Sequence, residues 1–364
     1  MTVDPLVAIA VARQASDIHL RAHQFPLIRV DGTLERLTTF PLVSHEDIEG
    51  AARQLLSADQ MERLARRQEV DAALVFEGLG RCRASVFRQK GTLAISLRLI
   101  PSNPPKLEAL GLPAAVLALV HESRGLVLIT GATGSGKSTT LAALVAAINQ
   151  TRPLHILTIE DPIEFVHEDV QAVISQREVG LDVESYPRGL LSALRQDPDV
   201  ILLGELRDPE TIETALVAAE TGHLVLSTLH TLDAPETVNR IVAVFEAHKQ
   251  PQVRNQLARV LRATISQRLL PRADGKGRAL ATEVLVTTPY VRDCIADIDK
   301  VSLIAGAIAS GEHAYGMQNF DQSIFALCQS GAVSVEEAAN WVTNVEEFRM
   351  RLRGITPGSR SFSR

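Results

Sequence analysis

The sequence is poor in cysteine and in aromatic residues, and each shortage excludes a class of protein. It has three cysteines in 364 residues, Cys82, Cys294 and Cys328, and no two of them form a C-x-x-C pair. This spacing excludes a cysteine zinc cluster and a disulfide framework, and it favours a reducing, cytoplasmic location. Aromatic residues make up 4% of the chain, which is few for a protein that stacks nucleic-acid bases.

Basic charge and long apolar runs are also scarce. The chain has 37 Lys+Arg against 43 Asp+Glu, a formal net charge of −6, which argues against a broad basic face for duplex nucleic acid. The apolar run at residues 114–120 is far shorter than the roughly 20 residues of a membrane span. The first residues lack the basic and apolar regions of a signal peptide. We expect a globular protein with neither nucleic-acid binding nor direct membrane insertion.

A proline-rich stretch at residues 101–105 is predicted to link two domains, because adjacent prolines continue neither a helix nor a central strand. Before it, strands are expected at 27–30, 81–87 and 92–99 and one helix at 44–67, typical of a small α+β domain. After it, buried-looking strands alternate with helices, which predicts a parallel sheet covered on both faces. These strands are expected at residues 125–130, 156–159, 200–203, 224–229 and 282–286. The predicted divisions are residues 1–100, the linker 101–113, an α/β core 114–288, a helical region 289–355 and a disordered tail 356–364.

The segment G-A-T-G-S-G-K-S at residues 131–138 is a full G-x-x-x-x-G-K-[ST] phosphate loop. It lies between a predicted strand and a predicted helix, where backbone N–H groups and the helix N-terminus can surround a phosphate. Lys137 is expected to reach the β- and γ-phosphates of ATP, and the Ser138 hydroxyl to bind Mg²⁺. The predicted nucleotide-binding residues are Gly131, Thr133, Gly134, Ser135, Gly136, Lys137, Ser138 and Thr139.

Phosphate transfer also needs carboxylates, and two acidic segments follow later strands. One contains Glu160, Asp161 and Glu164; the other is Gly204-Glu205, with glycine where a Walker B aspartate is usual. Glu205 is therefore expected to supply negative charge to Mg²⁺, directly or through a water. His230 follows another strand at the end where ligands gather, so it is either a γ-phosphate sensor or a structural hydrogen-bonding residue.

These motifs together resemble the ATPases of type II secretion and type IV pili, and most closely the PilT/PilU retraction group. The resemblance covers about residues 10–353. The resembling segments lie at residues 15–20, 27–32, 131–138, 155–167, 176–180, 194–208, 222–231 and 316–318.

The resemblance implies a RecA-like P-loop ATPase core, a small PAS-like N-terminal domain and a hexameric ring. Glu164 matches the family's catalytic glutamate, Glu205 its atypical Walker B acid, and His223 and His230 its histidine pair. The resemblance also implies that arginines on strands of the first domain reach phosphate. These arginines are Arg81, Arg83 and Arg98.

The branch of the family is predicted from what the chain lacks, a long extra N-terminal region and a four-cysteine zinc module, which favours the retraction group. The resemblance then implies an inner-membrane pilus platform protein and a paralogous retraction ATPase as partners, at the cytoplasmic face of the membrane. An accessory PilU-like ATPase and a pilus assembly or type II secretion ATPase stay open as alternatives. A helix is expected at residues 289–300, and it lacks the basic run that is frequent in retraction motors and matters for retraction. A nucleic-acid translocase and a nucleotide-binding scaffold without turnover are disfavoured by the few aromatic residues and by the retained Lys137, Glu164 and Glu205.

Overall fold

A computed structural model describes residues 2–30, 32–100 and 104–354 of the chain. Contacts divide the chain into two compact units, Met1–Asn103 with Glu164–Val166, and Pro104–Ile163 with His167–Arg364. The first three residues of the expected linker and the expected tail at 356–364 lie outside the described residues.

The N-terminal unit contains a six-stranded antiparallel sheet in the order β3-β2-β1-β6-β5-β4. Along β5, buried side chains alternate with more exposed ones, the pattern of a sheet covered on one face. The buried face packs into one apolar core with the helices. The elements are α1 (Asp4–Ala12), β1 (Asp17–Arg21), β2 (Leu27–Val30), β3 (Thr33–Arg36), α2 (His45–Leu55), α3 (Ala58–Arg67), β4 (Glu69–Phe76), β5 (Gly80–Gln89) and β6 (Thr92–Ile100).

The single helix predicted at residues 44–67 is wrong: two helices, α2 and α3, occupy this stretch. Leu56 between them is extended, with φ −108° and ψ 142°. Ser44 and Ser57 each begin a capping box, in which the serine hydroxyl and the side chain three residues later satisfy backbone N–H groups reciprocally. The second capping box starts a new helix, although the apolar residues of this segment are spaced as they would be in one continuous helix.

The C-terminal unit contains a seven-stranded sheet in the order β13-β12-β7-β11-β10-β8-β9. Neighbouring strands from β12 to β9 are parallel, so their carboxyl ends lie at one edge. Apolar cores cover both faces. The strands are β7 (Gly125–Thr130), β8 (His155–Glu160), β9 (Val173–Glu178), β10 (Val200–Leu203), β11 (Leu224–Leu229), β12 (Leu261–Pro271) and β13 (Arg278–Val286). The helices beside them are α4 (Ala114–Leu117), α5 (Lys137–Thr151), α6 (Tyr186–Ala193), α7 (Pro209–Glu220), α8 (Ala234–Ala243) and α9 (Gln250–Val260), with 3-10 turns at Leu107–Leu110 and Ala118–His121.

One strand predicted for the parallel sheet runs the other way. Residues 282–286 belong to β13, which pairs antiparallel with β12. The two strands form a hairpin through a turn with left-handed Gly275 and Gly277, at φ 71° and 75°. An apolar run predicts burial but carries no information on strand direction.

The end of the chain is helical among the described residues, as predicted, but its first helix is shorter than expected. The helix predicted over 289–300 ends at Ala296, because Asp297 is extended and its side chain accepts from Asp299 N to cap a 3-10 segment. Phe320, Ile324 and Val333 are buried in a separate apolar cluster. The elements are α10 (Pro289–Ala296), the 3-10 segment Ile298–Leu303, α11 (Ile304–Ser310), α12 (Glu312–Tyr315), α13 (Phe320–Gln329), α14 (Val335–Ala339) and α15 (Val345–Leu352).

Candidate active site

The phosphate loop leaves the end of β7, a strand whose six residues are all buried. Gly131 has φ 136°, and a Cβ placed on it would lie 2.5 Å from the carbonyl oxygen of Gln267 and 2.6 Å from Ser135 Oγ. Any side chain there would collide with this backbone, so the tight start of the loop requires glycine. Gly136 is also left-handed and leads into α5, whose N-terminus has no side-chain cap. Uncapped N–H groups at the start of a long helix are suited to bind an anion.

Lys137 folds back over this loop. Its Nζ donates to the carbonyl oxygens of Gly131 at 2.8 Å and Ala132 at 3.1 Å. Burial lowers the pKa of Lys137, and the charge of Glu205 acts in the opposite direction. The lysine is thus held at the mouth of the loop, where it experiences the charge of Glu205, a carboxylate that follows another strand.

The remaining loop residues differ in exposure. Ser135 is buried, and its Oγ has no hydrogen-bond partner within the described part of the chain. Thr133, Gly134 and Ser138 are exposed, and Thr139 is partly buried. The buried hydroxyl and the open N–H groups give the loop donors for phosphate oxygens.

Glu205 follows β10 and makes two close contacts. Its Oε2 accepts from Arg207 at 2.7 Å, and its Oε1 lies 3.4 Å from His230 Nε2. Burial favours the protonated carboxyl, but the Arg207 hydrogen bond and the His230 charge outweigh it, so the pKa of Glu205 is lowered. The structure therefore brings Glu205 and His230 together, with Glu205 acting on the charge of Lys137.

His223 stands apart from this group, at the opposite end of the same strand. Its Nδ1 lies 3.0 Å from the carbonyl oxygen of Ala218 at the end of α7. This contact links the turn before β11 to the end of α7.

The other predicted groups belong to the N-terminal unit. Glu164 is grouped by its contacts with that unit, whereas the phosphate loop belongs to the C-terminal unit. Arg83 Nη2 lies 3.2 Å from Asp71 Oδ2, and Arg98 Nε lies 3.1 Å from Asp17 Oδ1. Arg81 Nε is buried and has no hydrogen-bond partner among the described residues. Neither unit by itself brings Glu164 and these arginines together with Lys137 and Glu205.

Two further side chains, outside the predicted set, contact a site residue or the helix that follows the loop. Arg207 holds the carboxylate of Glu205, and Gln267 Nε2 donates to Thr140 Oγ1 at 2.7 Å beneath the first turn of α5. Arg207 belongs to the G-E-L-R-D segment and could have been assigned from its spacing to Glu205. No pattern in the sequence around Gln267 predicts its contact with Thr140, because its strand reaches the loop only through sheet pairing.

The donors present fit Mg²⁺, which in phosphate sites keeps few protein ligands and takes the rest from phosphate and water. The Ser138 hydroxyl is exposed, and the lowered pKa of Glu205 keeps its carboxylate ionised. No group of three or more His, Cys, Asp or Glu within residues 2–30, 32–100 and 104–354 could hold a metal ion by itself. Among the described residues, no helix has both the length and the apolar character to cross a bilayer.

Comparison with known proteins decides the family. The sequence profile of the family described as "Type II/IV secretion system protein" matches residues 1–300. The chain belongs to the type II/IV secretion ATPase family. Among its relatives in this family, the type IV pilus retraction ATPase PilT of Pseudomonas aeruginosa is 42% identical over 96% of this chain and 100% of its own length. The type IV pilus ATPase PilU of the same organism is 37% identical over 97% of this chain and 92% of its own length.

Solved structures of the family have the same fold. The crystal structure of the pilus retraction motor PilT with bound ADP has a TM-score of 0.88 to this chain, with 42% identity, and covers 95% of this chain and 98% of its own. The fold is therefore a RecA-like secretion ATPase core with a small α+β N-terminal domain and a helical C-terminal region. Both the family and the fold class expected from the motifs are confirmed.

Proposed function

We propose that this chain is a hexameric mechanochemical ATPase that hydrolyses ATP to power retraction of type IV pili. The observation that carries the proposal is its 42% identity to a retraction ATPase along nearly the whole length of both chains. The grouping of a phosphate-loop lysine with a strand-end carboxylate supports ATP hydrolysis as the reaction.

The chemistry proposed for the chain is positioning and charge stabilisation. The loop N–H groups and Lys137 bind the phosphates, and the lysine can exchange its two carbonyl contacts for phosphate oxygens. Glu205 stays ionised because Arg207 and His230 stabilise its charge. Groups fixed before the reaction lower the barrier because they need little rearrangement as charge moves.

Mg²⁺, when bound, neutralises phosphate charge and orients the terminal phosphate for attack. Ser138 and Glu205 are the proposed ligands, Glu205 directly or through a water. His230 is the proposed γ-phosphate sensor, since a contact between its ring and the γ-phosphate would change its interaction with the Glu205 carboxylate beside it.

The groups of the N-terminal unit are proposed to act within a ring. Glu164 would polarise the attacking water, and Arg81, Arg83 and Arg98 would bind phosphate across a subunit boundary. Hydrolysis at each boundary would change the angle between domains and drive an inner-membrane platform protein from the cytoplasmic side of the membrane.

A second candidate is an accessory retraction ATPase that works with a paralogue. The 37% identity to PilU over 97% of this chain favours it. The two functions predict different changes in pilus number and twitching when hydrolysis stops, so one test can distinguish them.

The test replaces Lys137 with alanine at the native locus and counts surface pili by electron microscopy. Lys249→Ala is the matched control, because Lys249 is an exposed residue before α9, away from the loop. An excess of pili in the Lys137 variant alone is expected, since retraction would stop while assembly continues.

The other outcomes assign different functions. Cells without pili would mean that hydrolysis builds the fibre, and the retraction proposal would be replaced by assembly. An unchanged count with reduced twitching, restored by a second copy of the wild-type chain, would favour the accessory role.

A further inference from the structure

We infer that Tyr186 is a positioning residue for ATP hydrolysis, whose hydroxyl lies between the carboxyl ends of β8 and β10 and fixes the acidic segments after them. The inference rests on the proposed function, because it assigns to Glu205 a part in hydrolysis. Tyr186 is the first residue of α6 and none of the nucleotide-binding motifs includes it.

The position of the hydroxyl follows from Gly204, which stands where a Walker B aspartate is usual. A Cβ placed on Gly204 would lie 2.6 Å from the Tyr186 hydroxyl oxygen. The tyrosine oxygen thus occupies the space in which a side chain at position 204 would begin. The same Cβ would lie 3.5 Å from Glu160 Cα, so the space that the hydroxyl fills is at the ends of two neighbouring strands.

These two strand ends are the ones that carry the acidic segments. Gly204 N donates to the carbonyl oxygen of Ile159 at 2.9 Å, and Gly204 O accepts from Thr228 Oγ1 at 2.7 Å. The backbone leading to Glu205 is therefore held from both sides by strands β8 and β11. Tyr186 adds a third contact, on the side of Gly204 where a side chain would otherwise begin.

The tyrosine itself is held rigidly. Ser185 caps α6 through Arg188 N, and the helix packs closely on β8 because Gly189 has no side chain. A Cβ on Gly189 would lie 3.2 Å from Cδ1 of Ile159. The ring of Tyr186 packs against the apolar core of the unit, so the hydroxyl has little freedom to leave its place.

The charges around the hydroxyl indicate what it does there. Burial raises the pKa of Tyr186, and the carboxylates of Asp161, Glu160 and Glu205 act in the same direction, while Arg207 opposes them. The phenol therefore keeps its proton and is able to donate a hydrogen bond to one of these carboxylates. A neutral donor at this place reduces the repulsion between the two acidic segments and limits their movement.

The first test is Tyr186→Phe in the full-length protein, which removes the oxygen and keeps the ring. We expect kcat for ATP hydrolysis to fall about tenfold, the size of one lost hydrogen bond to charged groups. KM for ATP, the affinity for a fluorescent ADP analogue and the thermal midpoint should stay within about twofold or a few degrees. Tyr290→Phe, which changes an exposed tyrosine on α10, is the control.

An unchanged kcat in Tyr186→Phe would overturn the inference. An equal loss of kcat, nucleotide affinity and thermal midpoint would also overturn it, because that pattern belongs to a packing role. Absence of hydrolysis by the wild-type chain would instead contradict the proposed function, so the two failures can be told apart.

The second test uses Gly204→Ala in two backgrounds. Beside Tyr186 the new methyl group collides with the hydroxyl at 2.6 Å, whereas beside phenylalanine the nearest ring atom would be Cζ at 3.5 Å, an ordinary contact. We expect Gly204→Ala to lower kcat by at least about tenfold in the wild type and to add no further loss in Tyr186→Phe. Equal losses in both backgrounds, or none in either, would show that the hydroxyl does not occupy this space.

Discussion

In the parallel sheet of the C-terminal unit the candidate catalytic groups follow the strands, whereas in the antiparallel sheet of the N-terminal unit they lie within them. Strands β7, β10 and β11 are buried at every residue. A side chain inside such a strand can only pack, so Lys137, Glu205 and His230 all come after a strand end. In β5 and β6 one face is more exposed, and Arg83 and Arg98 lie opposite each other in register.

The difference determines how firmly each group is placed. The strand-end groups gather because parallel strands bring their carboxyl ends to one edge. The arginines already pair with Asp71 and Asp17 in their own sheet. Arg83 and Asp71 are both partly exposed, and such ion pairs contribute roughly 0–1 kcal/mol, so a phosphate can displace this pair at little cost. Asp17 is buried, but it also lies 3.8 Å from Arg29 Nε, so it keeps a cation beside it when Arg98 leaves. The parallel sheet therefore fixes its candidate groups in place, whereas the antiparallel sheet holds its arginines through ion pairs that a phosphate can replace.

The largest expected effect is that of Glu205→Gln, which tests the strand-end half of the comparison. Loss of the negative charge beside Lys137 should lower kcat for ATP hydrolysis by about a hundredfold or more. Glu210→Gln, an exposed carboxylate in the first turn of α7, should keep wild-type activity. Steady-state hydrolysis by the purified proteins measures both.

An unchanged rate in Glu205→Gln would break the comparison, because a group placed by the parallel sheet would then have no part in the reaction. A contaminating ATPase is excluded by the same measurement on Lys137→Ala, which should be at least as slow.

Much of the parallel sheet could be predicted from the sequence, because a strand buried on both faces is a continuous apolar run with polar ends. Residues 200–203 and 224–229 were predicted as strands and are β10 and β11. Strand β12 could not be predicted this way. It buries Thr264, Ser266 and Gln267, polar residues that interrupt the continuous apolar run expected of a buried strand. Ser266 accepts from Thr130 at 2.9 Å, a contact across 136 residues that no local pattern contains.

The features of the candidate site also divide into those that adjacent residues determine and those that depend on distant packing. The loop around Lys137 could be predicted because its geometry depends on glycines adjacent in sequence. The approach of Tyr186 to Gly204 could not, since it depends on how α6 packs on β8. The roles of Glu164 and the arginines stay predictions, because in the proposed ring they depend on neighbouring subunits as well as on the chain itself.

An intermediate effect is expected for the arginines, which test the other half of the comparison. Arg98→Ala and Arg83→Ala should each lower kcat by about tenfold in the assembled protein, if a guanidinium stabilises the transition state. Their affinity for a fluorescent ADP analogue should change by less than about threefold, because the loop and Lys137 bind most of the nucleotide. Arg36→Ala, on the exposed strand β3, is the control.

Two results would revise the assignment. Losses as large as that of Glu205→Gln would mean that the antiparallel sheet places its groups as firmly as the parallel one. Losses no larger than that of Arg36→Ala would remove Arg83 and Arg98 from the catalytic groups, and their ion pairs with Asp71 and Asp17 would then be structural contacts.

The smallest effect on activity is expected at Glu283, an ionisable side chain that is buried inside a strand of the C-terminal sheet. This carboxyl lies inside β13, 8% exposed, and its Oε1 accepts from Ala234 N at 2.9 Å. Burial raises the pKa of Glu283 from 4.5 to about 7, although the Ala234 hydrogen bond opposes the shift. The folded state therefore keeps this proton between pH 4.5 and about pH 7, where the unfolded chain has lost it.

Raising the pH through this window favours the unfolded chain, by up to about 3 kcal/mol from this one group. In Glu283→Gln the amide oxygen can accept the same hydrogen bond without a charge. The variant should match the wild type in urea unfolding at about pH 5 and be more stable at about pH 8, with little change in ATP hydrolysis. Glu213→Gln, an exposed site on α7, should show the pH trend of the wild type. The same difference between Glu283→Gln and wild type at both pH values would mean that Glu283 is charged in the fold, and buried strands in this sheet would then tolerate charge as the N-terminal sheet does.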